Sequence, residues 1–299
     1  MHDDLLRRTG LEFYAPSDFE ARAVVLRDGR EATVWTHREN GHGILDPAFW
    51  PNLEEDYYED EYRDEFSAES SGHRVSANEH FRLYGDLNRK QFAHLEPFLR
   101  PNSRYLEVGA SFGGILDHVI NAEVAECHAV EPNRLDVRYL KEKYPQLRAH
   151  QGILEDCDLP TGHFDVVAFF EVLEHVVNLG DFLKRIFSVM AENGNLVIEV
   201  PNHDDVLYSC YRSPGFKEFY YHKAHLHYFT VRSLKEICAE FGFDGEVESF
   251  LMYPFFNHVN WCLNDGPQSS GDVALRTPVP TDGSDNRKTA INEFYVRVE

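Results

Sequence analysis

The sequence predicts an α/β chain: a doubly wound, largely parallel sheet with a small α+β appendage at its N-terminal end. Three observations carry that prediction. A short apolar run (Tyr105, Leu106, Val108) breaks into a glycine turn and resumes as an apolar-periodic segment (Ile115, Leu116, Val119), which reads as strand, tight turn and helix start. An acidic residue, Glu131, ends the next apolar run about twenty residues further on, where such sheets hold ribose hydroxyls. Between residues 125 and 200 short apolar runs alternate with helix-periodic ones, the order that winds a parallel sheet.

The appendage comprises residues 1–66. Within it, residues 23–26 and 32–35 read as two strands around an Asp28-Gly29 turn. Residues 54–65 hold eight carboxylates and one arginine, interleaved with Tyr57, Tyr58 and Tyr62, and read as a solvated helix face or as a lid over a pocket. A polar connector (67–76) opens the main domain, 67–299. A helix over 78–99 is stopped by Pro101-Asn102, and a strand over 125–130 ends in Glu131-Pro132-Asn133. Then come a helix (135–144), a strand (148–151), and a loop (152–156) whose apolar side chains suit a flat base. Residues 164–170 are apolar apart from Asp165, as in a strand buried on both faces. A helix over 181–190 and an Asn193-Gly194 turn lead to a fifth strand (196–200). Thr230 caps a helix over 231–241 that Gly242 ends, residues 247–252 form a sixth strand, and 264–290 is a polar Gly/Pro/Ser-rich excursion. Residues 294–298 return as an antiparallel last strand.

Composition narrows the function classes. With 51 acidic against 29 basic residues the formal charge is −22, which repels nucleic acid and anionic membranes. The five cysteines form no C-x-x-C pair and no zinc spacing, as expected of reduced thiols in the cytoplasm. No leader pattern or apolar span is evident, so the expected partner is a small molecule or saccharide, with a homodimer as the one assembly considered.

The turn also indicates the ligand's charge. A dinucleotide turn accepts a pyrophosphate, yet Glu107 stands two residues before Gly109 and the turn contains no Lys or Arg. That pattern suits a cofactor with a cationic end, such as the amino group and sulfonium of S-adenosylmethionine, and disfavours a nicotinamide oxidoreductase.

Taken in order, LEVGASFGG (106–114), VEPN (130–133), FDVVAFFEVLEHV (164–176), LVIEVPNH (196–203) and HLHYFTVRSLKEICAEFGF (225–243) resemble the class I S-adenosylmethionine-dependent methyltransferases. The resemblance implies a Rossmann-like sheet of seven strands with an antiparallel last strand. It also implies that Glu107, Gly109, Ala110, Ser111, Phe112, Gly113, Glu131, Pro132, Asn133, Gly152, Ile153, Leu154, Phe170, Glu171 and His175 hold S-adenosylmethionine and its product S-adenosylhomocysteine. Ser111 departs from the family's usual glycine, and Ile153-Leu154 from its usual acid for the adenine amine. The H-L-x-Y-F segment further resembles methyltransferases of nucleotide sugars and saccharides. Their C-methylating members carry an E-H pair and an N-terminal zinc module; here Ala224 precedes His225 and no cysteine precedes Cys127, so no metal is expected.

Methyl transfer to a hydroxyl needs alignment and a base. The sequence offers His225 as base, with His222 one helical turn away to orient it, and His203, Tyr208, Tyr211, Arg212 and Tyr221 as acceptor contacts. The leading expectation is O-methylation of a sugar, sugar nucleotide or glycan end. A quinone or phenolic O-methyltransferase, a sugar C-methyltransferase and a non-catalytic cofactor-binding relative are the alternatives.

Overall fold

The computed structural model describes residues 1–51, 57, 75–250, 255–266 and 293–298. The chain starts with a short helix, α1 (Asp3–Thr9), closed by Gly10 in the left-handed region (φ 70°). Three strands follow: β1 (Phe19–Val25), β2 (Glu31–His37) and β3 (Gly43–Leu45). The hairpin expected around Asp28-Gly29 is present, with Phe19 opposite His37, Val25 opposite Glu31, and Gly29 at φ 83°.

The main sheet is fed by helix α2 (Ala77–Leu95), which Ser76 caps through the N–H of Glu79. It contains β4 (Arg104–Val108), β5 (Glu126–Glu131), β6 (Arg148–Gln151), β7 (Phe164–Phe170) and β8 (Met190–Pro201). Helices α3 (Leu116–Asn121), α4 (Arg134–Lys143) and α5 (Leu179–Val189) connect them. Beyond β8 come α6 (Val206–Ser209), α7 (Pro214–Tyr220), β9 (His227–Tyr228), α8 (Val231–Glu240), β10 (Gly245–Phe250), α9 (Phe255–Asn264) and β11 (Glu293–Val298).

The spatial order is β10-β11-β8-β7-β4-β5-β6. The pairs among β4 to β8 run parallel, while β11 is antiparallel to both β8 and β10. The order reverses between β4 and β7, so a crevice opens outside the carboxyl ends of β4, β5 and β7, where such sheets bind ligands. The alternating side chains of the central strands supply both faces of the core. Leu106, Val108, Val167, Phe169 and Ile198 pack with Phe182, Leu183 and Ile186 of α5 and with Leu234 and Ile237 of α8. Tyr105, Ala129, Val166, Ala168 and Val197 pack with Leu95, Leu116, Val119 and Leu140.

Two features differ from the sequence expectation. Asn193-Gly194 does not end one element and begin another: β8 already pairs at Met190 with Phe164, and the register then jumps to Asn195 opposite Val166. The appendage is also not built from N-terminal residues alone. Its sheet has the order β1-β2-β3-β9, so two residues from late in the chain complete it. Leu5, Leu6, Leu11, Phe19 and Ile44 share the core under β4, β7 and β8. A third cluster, with Leu26, Val34, Leu45, Phe216, Tyr220, Tyr228 and Trp261, joins the hairpin to α7 and α9.

The acidic, tyrosine-rich segment and most of the excursion lie outside the described residues; Tyr57 is described and is buried. No helix among the described residues is long and apolar enough to cross a membrane. All five cysteines are free thiols.

Candidate active site

The chain leaves β4 through Gly109, whose φ of 76° admits glycine at little cost. A Cβ placed there would sit 2.5 Å from Val172 Cγ2, so the turn can pass close under the loop after β7 only without a side chain. The Gly109 N–H donates to the Val130 carbonyl at 2.8 Å. Ser111 adopts φ 47°, the left-handed conformation that a glycine would take more easily. Its N–H donates to Glu131 Oε2 at 2.8 Å, and the Asn133 N–H donates to Glu131 Oε1 at 2.9 Å. Asn133 in turn caps α4 through the N–H groups of Leu135 and Asp136. The glycine turn and the end of β5 are thus held around one carboxylate.

A cavity of about 590 Å³ fills the crevice. Of the residues implied to hold the cofactor, Gly109, Ser111, Phe112, Glu131, Pro132, Asn133, Gly152, Ile153, Leu154, Phe170, Glu171 and His175 line it. Ala110, Gly113 and Glu107 do not. Gly113 stands against Leu140 and Tyr144, where a Cβ would approach within 2.8 Å and 3.0 Å. Glu107 points from β4 into the sheet face under the turn, where it is buried and accepts a hydrogen bond from the Tyr105 hydroxyl at 3.0 Å. Burial, reinforced by Glu131, pushes its carboxyl up to about 8 against the lowering effect of that bond.

The acids on the wall are Glu131, Glu155, Glu171 and Asp181, and no Lys or Arg is among the described residues lining the cavity. The polarity read from Glu107 is therefore supplied by neighbours of the turn. Ile153 remains 48% exposed beside Gly152 and offers an apolar shelf at one end. These features fit a ligand with a flat base, a ribose and a cationic end: a shelf, a carboxylate on the turn, and acidic walls without Lys or Arg.

Sequence reasoning missed one wall. His80 and Tyr84, one helical turn apart on α2, line the cavity, and His80 meets the Phe112 ring at 5.4 Å. Their i, i+4 spacing placed them on one face, but nothing in the sequence distinguished that face from ordinary packing. Val172, Val176, Asn178, Asp181 and Phe182 were likewise unmarked.

The histidines form two groups. The segment 222–225 is a turn rather than helix, with the His225 N–H donating to the His222 carbonyl at 3.0 Å, so the expected helical relation between the two is replaced. Leu226 N–H donates to the Glu174 carbonyl at 2.7 Å, which clamps this turn to the loop after β7. Its result is an edge-to-face contact of His225 with His175 at 4.9 Å, just behind the cavity wall. His175 Nδ1 donates to the Ala224 carbonyl at 2.8 Å. Burial lowers the pKa of His175 to about 4 and takes that of His225 well below the ordinary imidazole value, so both rings are neutral near pH 7. Glu171 and Glu174 are pushed upward by burial.

The second group lies away from the cavity. His203 is buried and donates from Nδ1 to the Gly41 carbonyl at 3.0 Å, while its Nε2 is 3.1 Å from the Tyr221 hydroxyl. That hydroxyl is 2.8 Å from the one on Tyr208. This chain of contacts ties the β2–β3 connection to α6. Tyr211 and Arg212 are exposed between α6 and α7. None of these five expected acceptor contacts lines the cavity.

Comparison with known proteins agrees with this geometry. A protein of Mycolicibacterium smegmatis named "Probable S-adenosylmethionine-dependent methyltransferase" is 26% identical over 110 residues, 37% of this chain and 40% of that protein. A ubiquinone biosynthesis O-methyltransferase of Bradyrhizobium diazoefficiens is 30% identical over 107 residues, 34% of this chain and 41% of that one. The matches thus span about two fifths of those relatives' lengths. A SAM-dependent methyltransferase from Archaeoglobus fulgidus has the same fold, with a TM-score of 0.52 at 17% identity over 74% of this chain and 96% of that chain. The family model of a methyltransferase domain matches residues 79–247, more than half of the sequence. The chain belongs to that family of methyltransferase domains.

Proposed function

We propose that the protein methylates a hydroxyl oxygen on a small acceptor, with proton removal at the His175–His225 pair. Bound S-adenosylmethionine supplies a methyl group on a sulfonium, a carbon already activated for in-line displacement. The chain's own contribution is orientation and proton handling. The observation that carries this reading is the contact of His225 with His175, whose side chain lines the cavity. Two neutral imidazoles beside the pocket keep ring lone pairs that can take a proton as the acceptor oxygen attacks.

For the acceptor, a sugar, sugar nucleotide or glycan end is the first reading, supported by the histidine-bearing segment 225–229 and its resemblance to saccharide methyltransferases. A quinone or phenol is the second. It is supported by the similarity to ubiquinone O-methyltransferases and by aromatic side chains on the wall, Tyr84, Phe112 and Phe170. Carbon methylation and a non-catalytic relative are the remaining outcomes.

Calorimetry with adenosylhomocysteine and with NAD comes first. Retention of NAD and indifference to adenosylhomocysteine would remove the reading. Mass-spectrometric detection of methyl transfer across a panel of sugar nucleotides, free sugars, catechols and quinols then decides between acceptors. His225→Ala is expected to keep adenosylhomocysteine affinity and to lose about 10²–10⁴ in turnover; unchanged turnover on the true acceptor moves the base elsewhere.

A further inference from the structure

We propose that Glu174, His175 and His225 form a binding site for one divalent transition-metal cation beside the cofactor cavity, with Glu171 on its cavity side. One ligand-type atom from each of the three lies within 4.8 Å of the others. Ligand atoms about 2.1 Å from a common ion are at most roughly 4.2 Å apart, so small side-chain rotations close the site.

The carboxylate makes the case. Glu174 is 1% exposed, no other residue's N–H donates to either of its oxygens, and its one side-chain hydrogen-bonding neighbour among the described residues is another acid, Glu171. Its polar neighbours include His175 Nε2 at 3.8 Å, the carboxyl of Glu171 and, further off, that of Glu199. Buried carboxylates are stable when paired or metal-bound. A proton shared between the two acids would serve one oxygen of each, whereas a cation compensates both charges at once. His175 is set up for the same role. A carbonyl can only accept, so the 2.8 Å contact with Ala224 fixes the proton on Nδ1 and leaves the lone pair on Nε2, facing Glu174. That outer hydrogen bond is the usual support of a metal-bound imidazole. Two imidazoles with carboxylate suit Zn²⁺, Mn²⁺ or Co²⁺ better than Mg²⁺.

The other Glu/His group, Glu126 with His128 and His163, does not share these features. Its carboxylate already accepts from both rings, at 3.3 Å and 3.1 Å, and lies 3.5 Å from the Arg148 guanidinium, which repels a cation.

Glu171 and His175 line the cavity, so a cation here would meet an acceptor entering from that side. With the lone pairs of His175 and His225 taken by the cation, the proton of an acceptor hydroxyl bound to it would pass to water instead of to this pair, the O–H bond breaking as the oxygen–metal bond strengthens. Acceptors with two adjacent oxygens, a catechol or a vicinal diol, would chelate it. This role rests on the methyl-transfer reading; the site itself does not.

The test uses the full chain stripped with chelator. Zn²⁺ and Mn²⁺ are titrated by calorimetry, Co²⁺ by visible absorption, and adenosylhomocysteine binding is measured in parallel. One equivalent of cation is expected, with cobalt bands of nitrogen ligation. Glu174→Gln and His225→Ala should each weaken it more than about tenfold while adenosylhomocysteine still binds. If the variants fail to fold, the cobalt spectrum of the unaltered chain decides, and bands lacking histidine ligation overturn the proposal. So does a chain that binds adenosylhomocysteine but no stoichiometric cation, or a cation lost in His163→Ala and kept in Glu174→Gln. Cation binding at these residues without adenosylhomocysteine binding upholds the site and removes the methyl-transfer reading.

Discussion

Glu131 shows how much one side chain organises. Its two oxygens hold the N–H of Ser111 and of Asn133, so the carboxylate shapes the turn before any ligand arrives. It also stands on the cavity wall, where ribose hydroxyls are expected. A hydrogen bond to a charged acceptor contributes roughly 1.5–3 kcal/mol, so Glu131→Ala should weaken adenosylhomocysteine about tenfold to a hundredfold by calorimetry. Unchanged affinity would remove Glu131 from the site. Gly109 tests the turn differently. An alanine there meets Val172 at 2.5 Å and must adopt φ 76°. The left-handed backbone alone costs about 1–2 kcal/mol, so Gly109→Ala should lower stability by about 2 kcal/mol or more in urea unfolding.

The elements are joined by caps that reach across the chain. Thr230 starts α8: its Oγ1 accepts from the Ser233 N–H at 3.1 Å and donates to the Asn40 carbonyl, so one hydroxyl both caps a helix and anchors the β2–β3 connection. Loss of a cap costs about 1 kcal/mol, up to about 2. Thr230→Ala should fall in the upper half of that range by chemical denaturation, and Thr230→Ser should recover most of it. A loss below about 0.5 kcal/mol would mean that the Asn40 contact is idle. This cap was legible from sequence because Thr followed by a 3.6-residue apolar period is a local signal. So was β7, whose apolar residues Phe164 and Val166 to Phe169 are buried on both faces. The partner of Thr230 was not legible, since Asn40 is distant in sequence. The bulge in β8 was missed for a related reason: Asn-Gly favours a turn locally, and only the pairing with β7 absorbs the extra residues.

At the scale of the molecule, buried acids set the pH response of the cofactor-free chain. Burial pushes Glu107 up to about 8 and Asp205 up to about 7. The folded state therefore keeps protons that the unfolded chain releases above about pH 4. The stability they allow is complete below the unfolded values and is lost as pH rises through about 7 to 8. Asp165 acts in the opposite sense: hydrogen bonds from Arg104 hold its pKa low, so its contribution is lost as pH falls through that lowered value. Buried neutral histidines such as His175 and His225 act against this below about pH 6.5, where the unfolded chain takes up their protons, so the melting temperature of the cofactor-free chain should decline only above about pH 7, toward pH 9. Glu107→Gln should remove much of that decline, a difference on the order of a few kcal/mol at pH 8. Parallel curves for the two proteins would show that Glu107 keeps its charge. The candidate site divides along the same line between local and distant information. The turn, Glu131 and the 152–154 loop follow β-strands in fixed order, and their residues could be named from sequence. The acceptor contacts could not, because His203 and Tyr221 proved to be internal struts whose partners, Gly41 and Tyr208, are set by packing between distant segments.

The pairing of β3 with β9 brings together His42 and His227, 185 residues apart. During vectorial synthesis at roughly 5–20 residues per second, the first fifty residues leave the ribosome many seconds before the strand that completes their sheet exists. The hairpin must wait, half-built and with its inner edge bare, until the C-terminal third has emerged. A nascent chain released early would carry an open strand edge, so β3, translated well before its partner β9, is finished only when that later strand arrives.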